Sequence, residues 1–310
     1  MLKRILTTVL VGVAVGVGGF YLLTMPDPLD AATLPPEQSG DAVRGERMFW
    51  AGGCASCHAP SKAEAAAKLE LGGGDPLKTD FGTFHAPNIS PHPTDGIGSW
   101  SLVDFANAMQ RGVDRQGEHL YPAFPYSSYV KMKPDDVADL WAFLKTLPPV
   151  AGRPPPSDLA FPFNIRRGIG LWKRFFLDDA APVLDLGENA SDAARAGQYL
   201  VEGPGHCGQC HTPRGLGGAG GLDTDAWLTG APNPEGKGRI PDITPSKDGI
   251  GSWSASDIVY YLESGFTPDF DSVGGAMVAV QENIARLPAT DREAIAAYLK
   301  ALPAVEGAGK

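Results

Sequence analysis

The first strong pattern in the chain is an apolar run at positions 5–25 that contains no charged residue. It follows Lys3 and Arg4, and it is long enough for a helix to cross the hydrocarbon core of a bilayer. A cleaved secretion signal usually has a shorter apolar region and a small-x-small site, whereas this run ends in Phe-Tyr-Leu-Leu at 20–23. We therefore expect residues 1–25 to be a membrane anchor, with a cleaved signal as the alternative. The two basic residues would stay inside, so the remainder would face the far side of the membrane.

Two later segments have apolar residues at positions i, i+3, i+4 and i+7, which predicts amphipathic helices. These positions are Leu140, Phe143, Leu144 and Leu147 in the first segment and Ile295, Tyr298, Leu299 and Leu302 in the second. Each segment ends at a proline, Pro148 or Pro303. Small residues, Gly45 and Gly197, lie in shorter helical segments that these closing helices could cross closely. The sequence has no strand pattern of comparable strength and predicts an all-α fold.

Both closing helices belong to an internal repeat. The run Gly-Ile-Gly-Ser-Trp occurs at residues 96–100 and recurs 153 residues later, at 249–253. After each copy, a serine with an aspartate three residues on predicts a capped helix start, and a glycine predicts the helix end. These residues are Ser101, Asp104 and Gly112 in the first copy and Ser254, Asp257 and Gly265 in the second. One duplicated unit explains the repeat.

The repeat predicts two domains, and 310 residues are enough for two separate cores. We expect an anchor or signal at 1–25, a Pro-rich spacer at 26–40, a first domain at 41–150, a linker at 151–188 and a second domain at 189–305. The prolines of the spacer predict a stiff, extended segment that lifts the first domain off the membrane. The formal charge of -10, with no large basic patch, argues against nucleic-acid binding.

All four cysteines lie in two Cys-x-x-Cys-His motifs, again 153 residues apart. This motif is typical of covalent c-type haem attachment, in which both thiols form thioethers to the porphyrin and the histidine binds the iron. A zinc site would need further ligands at metal-binding spacing, and a redox dithiol would follow a strand. The sequence therefore predicts two covalently bound haem c groups. The binding residues are Cys54, Cys57 and His58 for the first haem and Cys207, Cys210 and His211 for the second.

Several phrases around these motifs resemble a known family, the class I-type cytochrome c fold in its di-haem form. They are Asn-Ile-Ser-Pro at 88–91, Gly-Ile-Gly-Ser-Trp-Ser at 96–101, Leu-Tyr-Pro-Ala-Phe-Pro-Tyr at 120–126 and Asp-Ile-Thr-Pro at 242–245. The chain is similar to membrane-anchored cytochrome c subunits or partners of periplasmic dehydrogenases. The resemblance implies two tandem cytochrome c domains in the bacterial inner membrane, facing the periplasm, or soluble in the periplasm after signal cleavage. It also implies redox partners such as a dehydrogenase, a cytochrome or an oxidase.

In the family that this chain resembles, the sixth iron ligand is usually a methionine shortly before the closing helix. Met277 is the single methionine of the second domain, and we expect it to bind the second iron. In the first domain Phe124 stands at the corresponding position, 153 residues earlier, and phenylalanine cannot bind iron. We expect Met132 to replace it. His119 and an open site are the alternatives, whereas Met109 fits a core position better.

Other residues have weaker functional interpretations. A haem propionate could pair with an arginine or an indole N–H, although these residues are as readily explained as surface arginines and core tryptophans. The candidates are Arg111, Arg214, Trp100 and Trp253. The histidines His85, His92 and His206 are interpreted as loop residues.

The linker contains an unusual segment, residues 161–176, in which four basic residues alternate with aromatic and aliphatic ones. Such a segment could lie on the bilayer surface or receive a partner protein. Packing between the two domains is the interpretation we favour.

These observations favour electron transfer between a dehydrogenase or quinol-oxidising donor and a terminal acceptor. Iron with histidine and methionine ligands changes charge without binding a substrate, and no catalytic residues are predicted beside the haems. The main alternative is a haem enzyme, of the di-haem peroxidase or thiosulfate-oxidising type, that acts at an open first haem. A gas-binding sensor is a third possibility.

Overall fold

The computed structural model describes residues 1–177, 180–234, 236 and 238–305, and its fold is mostly helical, as the sequence predicts. An N-terminal helix, α1 (Leu2–Leu23), precedes two helical halves with the same order of elements. The first half contains α2 (Ala42–Ala51), α3 (Cys54–His58), α4 (Leu102–Ala106), α5 (Tyr126–Tyr129) and α6 (Pro134–Leu144). After the linker helix α7 (Ile169–Phe176), the second half contains α8 (Asp192–Glu202), α9 (Gly208–His211), α10 (Ala255–Ser264), α11 (Met277–Ile284) and α12 (Ala289–Ala301).

The helices that follow the two Gly-Ile-Gly-Ser-Trp runs begin and end as predicted. The Ser101 hydroxyl accepts a hydrogen bond from the Asp104 N–H, and the Asp104 carboxylate accepts one from the Ser101 N–H. The same capping box starts α10. A π-helix (Asn107–Arg111) continues α4 and ends at Gly112, whose φ is 57°, and α10 ends at Gly265, whose φ is 77°. Glycine adopts this left-handed conformation at little cost, so it terminates both helices.

In each half the opening helix crosses the closing helix at a glycine. A Cβ atom at Gly45 in α2 would overlap the carbonyl oxygen of Asp139 in α6. A Cβ atom at Gly197 in α8 would likewise overlap the carbonyl oxygen of Ala294 in α12. The predicted close crossings are confirmed, because any larger residue would push the two backbones apart.

The apolar faces of α6 and α12 lie in the core. All the apolar positions that the sequence predicts for these two helices are buried. Their side chains belong to one continuous cluster that includes buried residues of both halves. The two halves are therefore packed on each other rather than held together by the linker alone.

The structure also contains short strands that the sequence pattern does not indicate. They are β1 (Leu77–Thr79), β2 (Gly82–Phe84) and β3 (Asp158–Leu159), which form an antiparallel sheet, and the antiparallel pair β4 (Ala231–Pro232) and β5 (Arg239–Ile240). Segments of two or three residues are too short to show the period-two alternation of a strand. Because β3 belongs to the linker, the sheet ties the linker to the first half.

Helix α1 is strongly apolar, and none of its residues is buried. In the described part of the chain, it is the one helix long and apolar enough to cross a membrane. Residues 26–40 do not extend away from the first half as predicted. The Leu29 N–H donates to Asn107 Oδ1 (2.7 Å), and the Glu37 carboxylate accepts a hydrogen bond from Trp141 Nε1 (3.1 Å). The expectation of an extended spacer that lifts the first domain off the membrane was wrong, because Leu29 and Leu34 pack against the core.

The linker helix α7 packs against both halves, as the favoured interpretation predicts. Trp172 Nε1 donates to the carbonyl oxygen of Ala219 in the second half (2.8 Å). Lys173 Nζ donates to the carbonyl oxygens of Arg111 and Gly112 in the first half (2.6 Å each). Burial of the Lys173 ammonium lowers its pKa to about 7. Helix α7 therefore bridges the two halves on one side of the molecule.

Candidate haem-binding sites

Each Cys-x-x-Cys-His motif includes a single helical turn, α3 or α9, that follows a sharp bend. Gly53, before the first motif, has a φ of 57° in the left-handed region that favours glycine. His206 takes the same place before the second motif with a φ of 39°, and histidine is among the residues that tolerate this region best. The first cysteine of each motif, Cys54 or Cys207, is partly buried, while the second, Cys57 or Cys210, is exposed. Residues three apart share one helix face, so the two thiols of each motif are positioned for a single flat cofactor.

The histidines of both motifs are held by backbone carbonyl groups. His58 Nδ1 lies 2.8 Å from the carbonyl oxygen of Pro87, and His211 Nδ1 lies 2.8 Å from that of Pro241. A carbonyl oxygen can only accept, so Nδ1 carries the proton and Nε2 keeps the lone pair that binds a metal. Burial lowers the pKa of both imidazoles. Each histidine is therefore a neutral, oriented ligand, which fits the fifth position of a haem iron.

The glycines of the repeated Gly-Ile-Gly run brace the loops that carry these carbonyl groups. The Ile97 N–H donates to the carbonyl oxygen of Ser90 (3.0 Å), and a Cβ at Gly96 would overlap this oxygen. In the second half the Ile250 N–H donates to the carbonyl oxygen of Thr244 (2.9 Å). The repeated run therefore positions the loop that orients each histidine.

Pro87 and Pro241 are functional residues that the sequence analysis missed, because the group that acts is a backbone carbonyl. A usable signal was present in the repeated pattern Pro-Asn-Ile-Ser-Pro at 87–91 and Pro-Asp-Ile-Thr-Pro at 241–245.

The structure places the predicted sixth ligands in different surroundings. Met277 is the first residue of α11 and is partly exposed. Phe124, its counterpart in the first half, is also partly exposed, and its ring lies 5.5 Å from that of Tyr129. Met132 is 3% exposed and belongs to the core cluster, as does Met109. Met277 and Met132 remain predictions as iron ligands.

His119, the alternative iron ligand in the first half, already forms hydrogen bonds through both ring nitrogens. Its Nε2 atom lies 2.8 Å from the carbonyl oxygen of Thr24, and Lys173 Nζ donates to its Nδ1 atom (3.1 Å). Both ring nitrogens are used at the end of α1, and burial lowers the pKa of the imidazole. Ligation of iron by His119 would break this arrangement, so we do not retain it as a candidate.

Buried donors beside the motifs fit a negatively charged group. Within the described part of the chain, Arg111 Nε and the Tyr126 hydroxyl are buried and lack hydrogen-bond partners. They are neighbours, because a Cβ at Gly112, the residue after Arg111, would overlap the Tyr126 ring. Arg214 is partly buried, which lowers the pKa of its guanidinium, and it donates to neutral oxygens of Gly220 and Gln209. Trp100 and Trp253 are partly buried against the core. Arg111, Tyr126 and Arg214 suit the propionates of a haem.

The two motifs adjoin each other across the interface between the halves. Asn283 Nδ2 in α11 donates to the hydroxyl of Ser56, inside the first motif (2.7 Å). Gln209 Nε2, inside the second motif, donates to the hydroxyl of Ser128 in α5 (2.7 Å). His206 Nε2 lies 3.2 Å from the carbonyl oxygen of Gly52, so the segments before the motifs also touch. Each motif is thus covered in part by the other half.

Comparison with known proteins agrees with this geometry. The family profile for cytochrome c matches residues 42–148 and 194–303. The chain is 55% identical to a diheme cytochrome c-type protein of Cereibacter sphaeroides, over 86% of this chain and 88% of that protein. It is 35% identical to the cytochrome c subunit of a quinone-dependent alcohol dehydrogenase of Gluconobacter oxydans, over 84% of this chain and 55% of the subunit. It is 36% identical to the fructose dehydrogenase cytochrome subunit of Gluconobacter japonicus, over 86% of this chain and 54% of the subunit.

The chain thus spans about half the length of these two dehydrogenase subunits. The likeness to a diheme protein, together with the two matched regions, supports two covalently bound haem c groups and a role in electron transport. With two matched regions that cover most of both halves, this chain belongs to the cytochrome c family.

Proposed function

We propose that this protein is a periplasmic electron carrier that takes electrons from a dehydrogenase or a quinol-oxidising donor and delivers them to a terminal acceptor. Its two haems are attached at Cys54 and Cys57 and at Cys207 and Cys210. Bound haem supplies a reversible one-electron change at its iron. The residues of the chain hold the two groups, orient their imidazole ligands and keep the two sites together. The observation that carries the proposal is the hydrogen-bonded contact between the segments that lead into the two motifs.

This contact has two parts that support exchange of electrons within one molecule. The hydrogen bond from His206 to the carbonyl oxygen of Gly52 joins the segments that lead into the motifs. The hydrogen bond from Asn283 to Ser56 joins the second half to the first motif itself. The residues of these two attachment turns would hold two bound haem groups at one shared interface, which would allow electron exchange within one molecule.

A dehydrogenase is the donor class that the relatives favour. The alcohol and fructose dehydrogenase subunits named above are cytochrome subunits, and the likeness extends over more than four fifths of this chain. The formal charge of -10 adds a docking requirement, because a partner should present a neutral or basic face to this acidic protein.

For the sixth ligands we propose Met277 at the second haem and Met132 at the first. The second candidate function, a haem enzyme of the di-haem peroxidase or thiosulfate-oxidising type, rests on Phe124. This residue cannot bind iron, although it stands 153 positions before Met277. An open first site would favour the enzyme, and a closed one favours the electron carrier.

We also propose that α1 is retained as an anchor, with the two haem sites on the periplasmic side. Thr24, directly after α1, is 0% exposed because the first half and α7 enclose it. Its carbonyl oxygen accepts from His119, and its hydroxyl accepts from Arg167 Nε (2.8 Å). A signal peptide that is cut away would not need such an enclosed junction. Mass measurement of the mature protein tests this, since cleavage would remove the mass of the first two dozen residues.

Electron exchange between the haems tests the main proposal. The full-length protein in detergent would be given less than one electron per molecule by a photoreduced flavin, and the two haem spectra would be followed in time. We expect an exchange phase whose rate does not depend on protein concentration. A rate that rises in proportion to protein concentration would show that electrons pass between molecules, and the proposal would be wrong. Rapid turnover of hydrogen peroxide by the same preparation would favour the haem enzyme.

A further inference from the structure

The segment at residues 161–176 exposes more apolar surface than its packing against the two halves requires. Phe161 is 78% exposed and Phe175 is 76% exposed, and Phe163 and Ile165 are also exposed. Leu216, on the loop at 215–221, is 76% exposed. Large apolar side chains that cluster on a surface mark a contact with a protein or a membrane.

These side chains belong to one continuous surface. The rings of Phe163 and Phe81 lie 4.8 Å apart in a T-shaped arrangement. Gly218 approaches the far end of the Phe81 ring, and Gly221 on the same loop packs against the ring of Phe176. The loop at 215–221 therefore lies beside Phe81, which contacts the start of the segment, and beside Phe176 at its end. These groups form one continuous surface.

The contact between α7 and the end of α1 determines the depth in a membrane at which this surface would lie. A Cβ at Gly170, in α7, would lie 2.7 Å from the Cα of Thr24. Arg167 Nη2 donates to the carbonyl oxygen of Tyr21 (2.8 Å), its guanidinium stacks on the Tyr21 ring (4.2 Å), and Arg174 Nε donates to the carbonyl oxygen of Leu23. Helix α7 thus crosses α1 at its last turn.

Helix α1 has 22 residues, and at a rise of about 1.5 Å per residue its length matches a hydrocarbon core of about 30 Å. Its last turn would therefore lie where the hydrocarbon meets the lipid headgroups. A segment that crosses α1 at this turn lies at the depth where aromatic and basic side chains are enriched.

The charge of the segment fits anionic headgroups. Residues 161–176 contain three arginines, Arg166, Arg167 and Arg174, and no acidic residue, in a chain whose formal charge is -10. The fourth basic residue, Lys173, donates to backbone carbonyl oxygens of the first half and does not face the lipid. Arg174 is exposed beside Phe175. The basic residues are therefore concentrated where the chain leaves the membrane.

We propose that residues 161–176, together with Leu216, form a lipid-binding surface that lies on an anionic bilayer beside α1. The inference rests on the proposed retention of α1 and deepens it, since the haem domains then have a second membrane contact and one preferred orientation. Continuity with the end of α1 favours lipid over a protein partner, because any partner on this surface would have to displace the bilayer. Phe161 and Phe175 would enter the headgroup layer, and Arg174 would pair with lipid phosphate.

Photochemical labelling of the full chain tests the proposal. The holoprotein would be placed in nanodiscs of phosphatidylcholine and phosphatidylglycerol that contain a lipid with a diazirine near its headgroup. Labelled peptides would then be mapped by mass spectrometry. We expect adducts on α1 and on residues 161–176, and none on the loop that carries Phe270, which is 82% exposed in the second half. In the double variant Phe161→Asn, Phe175→Asn, labelling of the segment should fall several-fold, whereas Phe270→Asn should leave it unchanged.

The possible results separate the two proposals. Adducts on α1 without adducts on residues 161–176 would overturn the lipid-binding surface and leave the anchor intact. No adducts on α1 would overturn the anchor and, with it, the argument for the height of the surface. Equal labelling of residues 161–176 and of the Phe270 loop would also overturn the lipid-binding surface, because it would reflect exposure alone. Both haems should remain bound in the variants, which checks that they fold.

Discussion

The imidazole Nε2 of His206 lies 3.2 Å from the carbonyl oxygen of Gly52, a hydrogen bond that links the segments before the two haem motifs. His206 directly precedes Cys207, and Gly52 lies two residues before Cys54. The same oxygen accepts a bond from the Tyr129 hydroxyl (3.4 Å), and the ring of Tyr129 lies edge-on to His206 (5.6 Å). These contacts join the segments that lead into the two motifs.

Replacing His206 with asparagine should slow electron exchange between the haems. Asparagine keeps the tolerance for a positive φ but is too short to reach Gly52. Loss of one hydrogen bond should cost about 1 kcal/mol of stability, and both haems should remain attached. Flash reduction gives the exchange rate, and urea unfolding gives the stability. An unchanged exchange rate with lower stability would mean that the contact is structural only.

Replacing Gly96 or Gly249 with alanine should perturb one haem at a time. A Cβ at Gly96 overlaps the carbonyl oxygen of Ser90, so the loop that carries Pro87 must move away from His58. Overpacking of this kind costs roughly 1–3 kcal/mol. Redox titration should reveal a shifted potential for the first haem in Gly96→Ala and for the second in Gly249→Ala. The matched control is Gly168→Ala, where a Cβ has open space, and both potentials should stay as in the wild type.

Carbon monoxide binding should identify the sixth ligands. If Met277 binds the second iron, Met277→Ala should create one high-spin haem that binds carbon monoxide rapidly once reduced. Met132→Ala should do the same at the first haem, and the wild type should bind none rapidly. In the Met132→Ala background, Phe124→Met should restore a low-spin haem. A wild-type haem that already binds carbon monoxide, with no change in Met132→Ala, would rule out Met132.

Replacing Cys54 and Cys57 with alanine should remove the first haem and leave the second attached. The reason is that each motif has its own proximal histidine and its own supporting loop, with His211 held by Pro241. Pyridine haemochrome assays and haem-stained gels would measure one haem per chain instead of two. Retention of two covalent haems would contradict the attachment sites.

Stability should depend on pH through Lys173. Its folded-state pKa is lowered to about 7 by burial, whereas an unfolded lysine titrates near ~10.4. Between these two pKa values the unfolded chain binds a proton that the folded chain lacks, so the free energy of unfolding rises with pH. Below about pH 7 both states are protonated, and the contribution of this group no longer changes with pH. Urea unfolding across this window should give a smaller slope for Lys173→Met than for the wild type. Equal slopes would mean that the ammonium stays charged in the fold.

Local features of this protein could be predicted because their causes lie within a few neighbouring residues. Ser101 and Asp104 form a capping box by themselves, and Gly112 and Gly265 end helices because only the backbone of one residue has to turn. The two Cys-x-x-Cys-His motifs carry their chemistry in five residues. The repeat adds a longer-range constraint, since a duplicated sequence with the same apolar spacing forms the same pair of crossing helices twice. From these features the helical fold and the number of haems follow.

Other features depend on segments that meet only after folding. The carbonyl oxygens of Pro87 and Pro241 have no side-chain signature, and they accept hydrogen bonds from His58 and His211 only because a distant loop packs there. The role of Thr24 likewise arises when His119 and Arg167, far along the chain, converge on the end of α1. The sequence predicts an extended spacer at residues 26–40 because prolines favour extension locally. Packing of Leu29 and Leu34 against the core outweighs that preference. The hydrogen bond between His206 and Gly52 belongs to the same class, since the sequence determines each motif and only the packing of the two halves brings them together.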